Sequence, residues 1–236
     1  FEILESQFNL PGASLFSYLS FRAAVTVIMS LVISIVFGKK IINFLKIKQV
    51  GENVRELGLD GEDKKKGTPT MGGIIIIIGT LVPVILMSNL ENIYIQILII
   101  STIILGLIGL IDDYIKVFKK DKEGLQGKFK ILGQVGLGLI VGSMLYFNDN
   151  VTIKEELPLA QQVVQQNGKT QVFAQAHKST KTTVPFFKNN ELDYSDFLSF
   201  LGEGYEKYGW LVFIFITIFI ITAVSNGANL TDGIDG

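Results

Sequence analysis

The chain has 236 residues, no cysteine and a formal net charge of −1, and 48% of it is hydrophobic. The lack of cysteine excludes a disulfide framework and a thiolate metal site, and the near-neutral balance gives no sign of nucleic acid as a partner. The apolar residues come in unbroken blocks of about 17 to 20, long enough to cross a ~30 Å hydrocarbon layer. An ordinary soluble domain is excluded, because it would spread them periodically.

The expected fold class is all-α, a polytopic transmembrane bundle with five spanning helices in this chain. The first runs from about Phe16 to Phe37, with Arg22 snorkelling to the outer surface. It is too long for a removable signal peptide, and no positively charged stretch precedes it. The second runs from about Met71 to Met87 with a kink at Pro83, and the third from about Ile93 to Ile111. The fourth covers about Phe129 to Phe147 and the fifth about Gly209 to Ala223.

Charge placement orients the bundle. Lys39, Lys40, Lys46, Lys48, Arg55, Lys64, Lys65 and Lys66 lie between the first two helices. Lys116, Lys119, Lys120, Lys122 and Lys128 lie between the third and fourth. By the positive-inside rule both loops are cytoplasmic and the N-terminus is outside. Asp112-Asp113, which end the third helix, and Asn226 to Asp235, which follow the fifth, then face the same compartment. Residues 1–236 read as a single integral-membrane domain, with 148–208 an extracytoplasmic loop. In that loop Val163 to Phe173 reads as a small β-hairpin around Asn167-Gly168, a favoured type I′ pair.

Three stretches could carry chemistry. Lys65-Lys-Gly-Thr-Pro-Thr-Met-Gly-Gly73 opens the second helix, where backbone N–H groups, lysines and hydroxyls suit a phosphate or a uracil carbonyl; an ordinary basic flank reads equally well. Asp112-Asp113 places two carboxylates at a helix C-terminus, which disfavours negative charge, so a general base or a metal ligand is the reading. Lys116 shares a face with Asp112 if the helix continues. Lys128 is open between a phosphate contact and a flank, and Lys130 reads as a flank. Asn226, Asn229, Asp232 and Asp235 recur every third residue, along one helix face or in a glycine-rich turn, and oxygen donors of this kind suit Mg²⁺. Gly138-Leu-Ile-Val-Gly142 reads as bundle packing, and His177 as a solvated residue.

Gly67-Thr-Pro-Thr-Met-Gly-Gly73, Asp112-Asp113-Tyr114 and Asn226-Gly-Ala-Asn-Leu-Thr-Asp-Gly-Ile-Asp235 resemble, in order and spacing, the bacterial phospho-N-acetylmuramoyl-pentapeptide transferases (translocase I). These belong to the polyprenyl-phosphate N-acetylhexosamine-1-phosphate transferases. Phe16 to Arg22 and Val184-Pro-Phe-Phe-Lys188 are similar to the same branch. Members carry about ten spanning helices, each satisfying its own backbone groups in lipid. The resemblance therefore implies that this chain is the N-terminal part of a longer protein, with another acidic loop and a histidine-rich loop beyond it.

The implied reaction moves phospho-MurNAc-pentapeptide from UDP-MurNAc-pentapeptide to undecaprenyl phosphate, giving lipid I and UMP for peptidoglycan. It takes place at the cytoplasmic face of the bacterial inner membrane. The implied cofactor is Mg²⁺. The implied partners are those two substrates, membrane lipid, nucleoside-antibiotic inhibitors and a second copy in a homodimer. On this basis Asp112, Asp113 and Asp232 are the expected catalytic residues. Asp112 would serve as base or activator of the lipid phosphate, with Asp113 supporting it or binding metal and Asp232 positioning the nucleotide. Lys65, Thr70, Lys116 and Lys128 would contact phosphates or nucleotide, Asn229 and Asp235 would shape the uridine pocket, and Asn226 would give an oxygen to the metal. A sister transferase using UDP-GlcNAc is the rival within the class. A secondary transporter is the rival outside it, although transporter sites lie nearer the midplane.

Overall fold

The computed structural model describes residues 12–48, 71–119, 121, 123–154, 163–164, 170–171, 175–185 and 191–235. The chain divides into two compact units, Phe1–Gly133 and Gln134–Gly236.

In the first unit a 3₁₀ turn, Ala13–Ser17, leads into α1 (Leu19–Lys48), followed by α2 (Gly73–Met87) and α3 (Ile93–Phe118). α4 (Gly127–Phe147) begins here and runs on into the second unit. Small residues let these helices approach. A Cβ at Gly79 of α2 would lie 2.7 Å from Ser34 Oγ of α1, and one at Gly106 of α3 the same distance from Ile77 Cδ1 of α2. Close approach at small residues is how helices associate in lipid, where apolar burial gives no driving force. Asn92 caps α3 by accepting the Tyr94 N–H at 2.9 Å, a standard N-cap arrangement.

The second unit holds the rest of α4, two small antiparallel sheets and α5 (Gly209–Asp235). β1 (Val163–Val164) pairs with β2 (Thr170–Gln171), with Val163 opposite Gln171 and Val164 opposite Thr170. These are the expected hairpin strands, and the Asn167-Gly168 turn lies outside the described residues. β3 (Lys181–Thr183) pairs with β4 (Glu191–Asp193), a sheet the sequence did not announce. The GxxxG pair packs within the bundle: a Cβ at Gly138 would lie 2.7 Å from Ile218 Cα, and one at Gly142 3.2 Å from Ile214 Cα. An aromatic cluster of Tyr146, Phe147, Tyr194, Trp210 and Phe213 surrounds the junction of α4 and α5, in keeping with the aromatic girdle of a membrane interface.

Large apolar side chains stand exposed along the helices, among them Leu31, Ile35, Leu98, Leu132, Phe215 and Phe219. In water such a surface would be an aggregation hazard; in a bilayer it meets its solvent. Among the described residues four helices are long and apolar enough to cross, and the protein is an integral membrane protein.

The helix boundaries depart from the expectation. α1 runs to Lys48 and so takes in Lys39, Lys40, Lys46 and Lys48, while α3 runs seven residues past Ile111 and α5 twelve past Ala223. The apolar blocks mark where hydrocarbon ends, but amphipathic turns such as Ile41 to Lys48 continue the helix beyond it. α2 differs the other way. It begins at Gly73 and has 15 residues, a length of about 22 Å, short of the hydrocarbon thickness. Just ahead of it Met71 takes a φ of 65°, the left-handed region that side chains with a Cβ rarely adopt.

Candidate active site

Asp112 is not at a helix end. It sits in α3 with its side chain 10% exposed, and three donors hold it. Lys116 Nζ lies 2.7 Å from Oδ2 and Lys130 Nζ 2.8 Å from Oδ1. The Leu125 N–H donates to the same Oδ1 at 2.8 Å. Each donor arrives by a different route. Lys116 is one helical turn on, the spacing at which side chains meet, and its charge offsets that of Asp112. Lys130 reaches across from α4. Leu125 arrives through the turn after α3, where Gly124 has a φ of 71° and a Cβ would lie 2.5 Å from Asp112 Oδ1 and 2.7 Å from Lys116 Cε. Only glycine allows that turn to close over the carboxylate.

The result is a nearly buried carboxylate between two ammonium groups. Removing one partner of such a cluster is costly, because the remaining charges lose their compensation. Lys116 is the more exposed of the two, 38% against 20% for Lys130, so it is the cation that can turn toward a ligand with less loss. Asp113 is half-buried and heads about 100° round the helix from Asp112. The two carboxylates therefore do not share a face.

The run from Asn226 lies in α5 and is helical, not a turn. Positions three apart fall about 60° short of a full turn, so the run drifts round the helix and does not keep to one face. Asn226 faces α4. Its Nδ2 donates to Gln134 Oε1 and to the Thr222 carbonyl, each at 2.8 Å, while its Oδ1 lies 3.5 Å from Gln134 Nε2. Asn229, on the next turn, is exposed. The backbone of Asp232 and Asp235 belongs to α5; their side chains, together with Lys65 and Thr70, lie outside the described residues. Lys128 is exposed, with its Nζ 5.2 Å from the centre of the Phe129 ring.

Among the described residues no three His, Cys, Asp or Glu side chains come together to hold a metal. Both Asp112 oxygens are committed to cations or an N–H, and the Asn226 amide is paired with Gln134. Asp112 and Asn226 as they stand do not fit a Mg²⁺ ion, which needs at least one or two uncommitted carboxylate oxygens beside its waters and substrate phosphates.

A separate polar cluster lies in the segment between α4 and α5. Asp193 Oδ1 accepts from Thr180 Oγ1 at 2.6 Å, from the Ser195 N–H at 2.9 Å and from Ser195 Oγ at 2.6 Å. Burial alone would raise the pKa of this carboxyl. The Ser195 and Thr180 hydrogen bonds, with nearby Lys181, outweigh burial and hold it below the usual aspartate value. A cavity of about 310 Å³ adjoins this cluster, and none of the predicted site residues lines it. His177 is exposed and its backbone bridges to Ile153.

Two residues escaped the sequence reading. Lys130 looked like one more basic flank, because nothing local ties it to an acid 18 positions earlier. Gln134 carried a legible signal, a polar side chain inside an apolar helix, and it was passed over.

Comparison with known proteins bears directly on this arrangement. The family model described as Glycosyl transferase family 4 matches residues 95–236. The one described as Phospho-N-acetylmuramoyl-pentapeptide-transferase signature 1 matches residues 65–77. A curated protein named phospho-N-acetylmuramoyl-pentapeptide-transferase from Flavobacterium psychrophilum is 58% identical over 237 residues, covering 100% of this chain and 58% of that protein. One of the same name from Flavobacterium johnsoniae is 56% identical over 248 residues, with the same coverage. Another from Bacteroides fragilis is 52% identical over 231 residues, covering 97% of this chain and 54% of that protein. The chain thus spans little more than half the length of these relatives. Asp112, Lys116, Lys130, Gln134 and the run from Asn226 to Asp235 all fall inside the matched stretch, which takes in more than half of the chain, and the chain belongs to glycosyl transferase family 4.

Proposed function

We propose that the full-length protein containing this chain transfers phospho-MurNAc-pentapeptide from UDP-MurNAc-pentapeptide to undecaprenyl phosphate, giving lipid I and UMP. An oxygen of the lipid phosphate bonds to the sugar-linked phosphorus of the donor. The bond from that phosphorus to the bridging oxygen breaks, and UMP leaves with the bridging oxygen. The observation that carries this reading is the buried Asp112 between Lys116 and Lys130 on a helix that has just run the thickness of a bilayer, within a chain whose relatives bear that transferase name. A soluble anionic donor and a membrane-anchored phosphate meet at such a boundary.

On this reading the residues divide the work. Asp112 holds both ammonium groups at a fixed place. A phosphate monoester, with its second pKa near 6, competes for Lys116, the more exposed cation. As Lys116 turns to the phosphate, Asp112 loses one donor and becomes the stronger base for the remaining phosphate proton. Base and activator are then two moments of one role. Asp113 supports the site beside it, Lys128 and Lys65 add positive charge toward the donor, and Thr70 offers a hydroxyl. Asn229, Asp232 and Asp235 hold the nucleotide. Mg²⁺ is the cofactor the resemblance implies; because the described donors are taken up, carboxylates outside that set, such as Asp232 and Asp235, would hold it with the donor's own phosphates, and it would offset pyrophosphate charge. The active site faces the cytoplasm, the N-terminus lies outside, and the segment 148–208 lies on the far side of the inner membrane. The homodimer and nucleoside antibiotics belong to this reading on the resemblance alone.

The test uses the full-length protein in detergent with undecaprenyl phosphate and Mg²⁺, following UMP release. UMP is expected from UDP-MurNAc-pentapeptide and not from UDP-GlcNAc. Release only from UDP-GlcNAc moves the protein to a sister transferase, and release from neither by a folded protein sinks the reading.

A further inference from the structure

Gln134 stands where an apolar residue would be expected. The face that α4 buries consists of Gln134, Leu137, Gly138, Val141 and Gly142, the i, i+3, i+4 spacing of a helix seam. Four of these are apolar, and Gln134 is an amide left 4% exposed. Both ends of it are used: Nε2 donates to Ser225 Oγ at 3.0 Å, and Oε1 accepts from Asn226 Nδ2 at 2.8 Å. The glycine contacts further along, Gly138 on Ile218 and Gly142 on Ile214, bring the helices close but carry no directional bond. A polar pair in apolar surroundings has one register that satisfies it, and any slip leaves it unpaired at a cost.

We propose that Gln134 is a positioning residue, which through Asn226 and Ser225 fixes the register and rotation of α5 against α4. The heading of the following turns, with Asn229, Asp232 and Asp235, is set by this lock. Asn226 serves the lock, which accounts for its amide facing α4 while the run drifts off that face. The functional half of the inference rests on the reading that those turns bind the nucleotide donor; the lock itself does not.

The test is made on the full-length protein, with any other cysteine replaced. A Cβ at Gly142 lies 3.4 Å from Ile214 Cβ, within disulfide reach. The pair Gly142→Cys with Ile214→Cys should therefore close on oxidation. Gly142→Cys with Ile218→Cys should close only if α5 slips by about one turn. With Gln134→Leu the preference for the first pair should fall by at least about tenfold, the scale of one buried polar coupling. Without the cysteines, Gln134→Leu should raise the donor KM by a similar factor and leave the lipid KM unchanged. Ser225→Ala, which spares the Asn226 bond, should shift both readouts the same way by less, and it carries the test if the first variant does not fold. An unchanged cross-linking preference in both variants overturns the lock. A changed preference with an unchanged donor KM overturns its role in donor binding. If the parent cross-links as expected and releases no UMP, the activity reading fails, and the shift in cross-linking alone then decides the lock.

Discussion

Asp112 accepts from three donors, and two substitutions around it give measurements. Asp112→Asn keeps the shape and the Leu125 contact but removes the charge between the lysines. In the full-length protein it should lower turnover at least about a hundredfold, the scale of acid–base loss, with thermal unfolding showing a folded protein. Near-normal UMP release would end the assignment. Gly124→Ala forces a Cβ into the space of Asp112 Oδ1 at a φ of 71°. It should cost about 1–2 kcal/mol for the left-handed backbone, plus the displaced turn, read as a lower unfolding temperature together with lost turnover. Asp193 gives a pH dependence. Its pKa is depressed in the fold, so its contribution to stability is complete above the ordinary aspartate value of about 4 and fades as pH falls through the lower folded value. Asp193→Asn should flatten stability across that acid range; an unchanged pH profile would count against the carboxylate. The Asp112–Lys116 pair was legible at this scale because i,i+4 spacing is local. Lys130 was not, because its pairing depends on how α4 returns beside α3.

Helices were legible as elements, and their ends were not. Apolar length reports the hydrocarbon slab, while hydrogen bonding and capping decide where a helix stops, so α3 and α5 carry their polar motifs as further helical turns. That outcome changed the chemistry, since a helical run spaced by three spreads its side chains round the helix instead of gathering them as a turn does. Glycine contacts give the test at this scale. Gly138→Ala places a methyl 2.7 Å from Ile218 Cα, a backbone atom, whereas Gly142→Ala meets Ile214 Cα at 3.2 Å. The first should destabilise by about 1–3 kcal/mol, the usual range for overpacking, and the second by clearly less. Reversible unfolding in mixed micelles would rank them, and equal effects would speak against the close α4–α5 contact.

Charge distribution sets the expectation for the whole molecule. Lysines cluster before α2 and after α3, and on the proposed topology the positive-inside rule would put both stretches in the cytoplasm. With native cysteines replaced, Glu123→Cys should resist a membrane-impermeant thiol reagent in intact cells and react after lysis. Lys154→Cys should react in intact cells. The reverse pattern would invert the topology and move Asp112 to the wrong compartment for a nucleotide donor.

Sequence by itself determined that the chain spans a membrane with helices, which stretches carry polar groups at its boundary, and which family it belongs to. The first two follow from composition over contiguous segments, and the family from the order and spacing of its motifs. Only the tertiary structure decided that Asp112 lies between two lysines under a glycine turn, and that Asn226 is bonded to Gln134. Those partners come together from positions 18 and 92 residues apart. No local spacing encodes such meetings; the packing of one helix on another does.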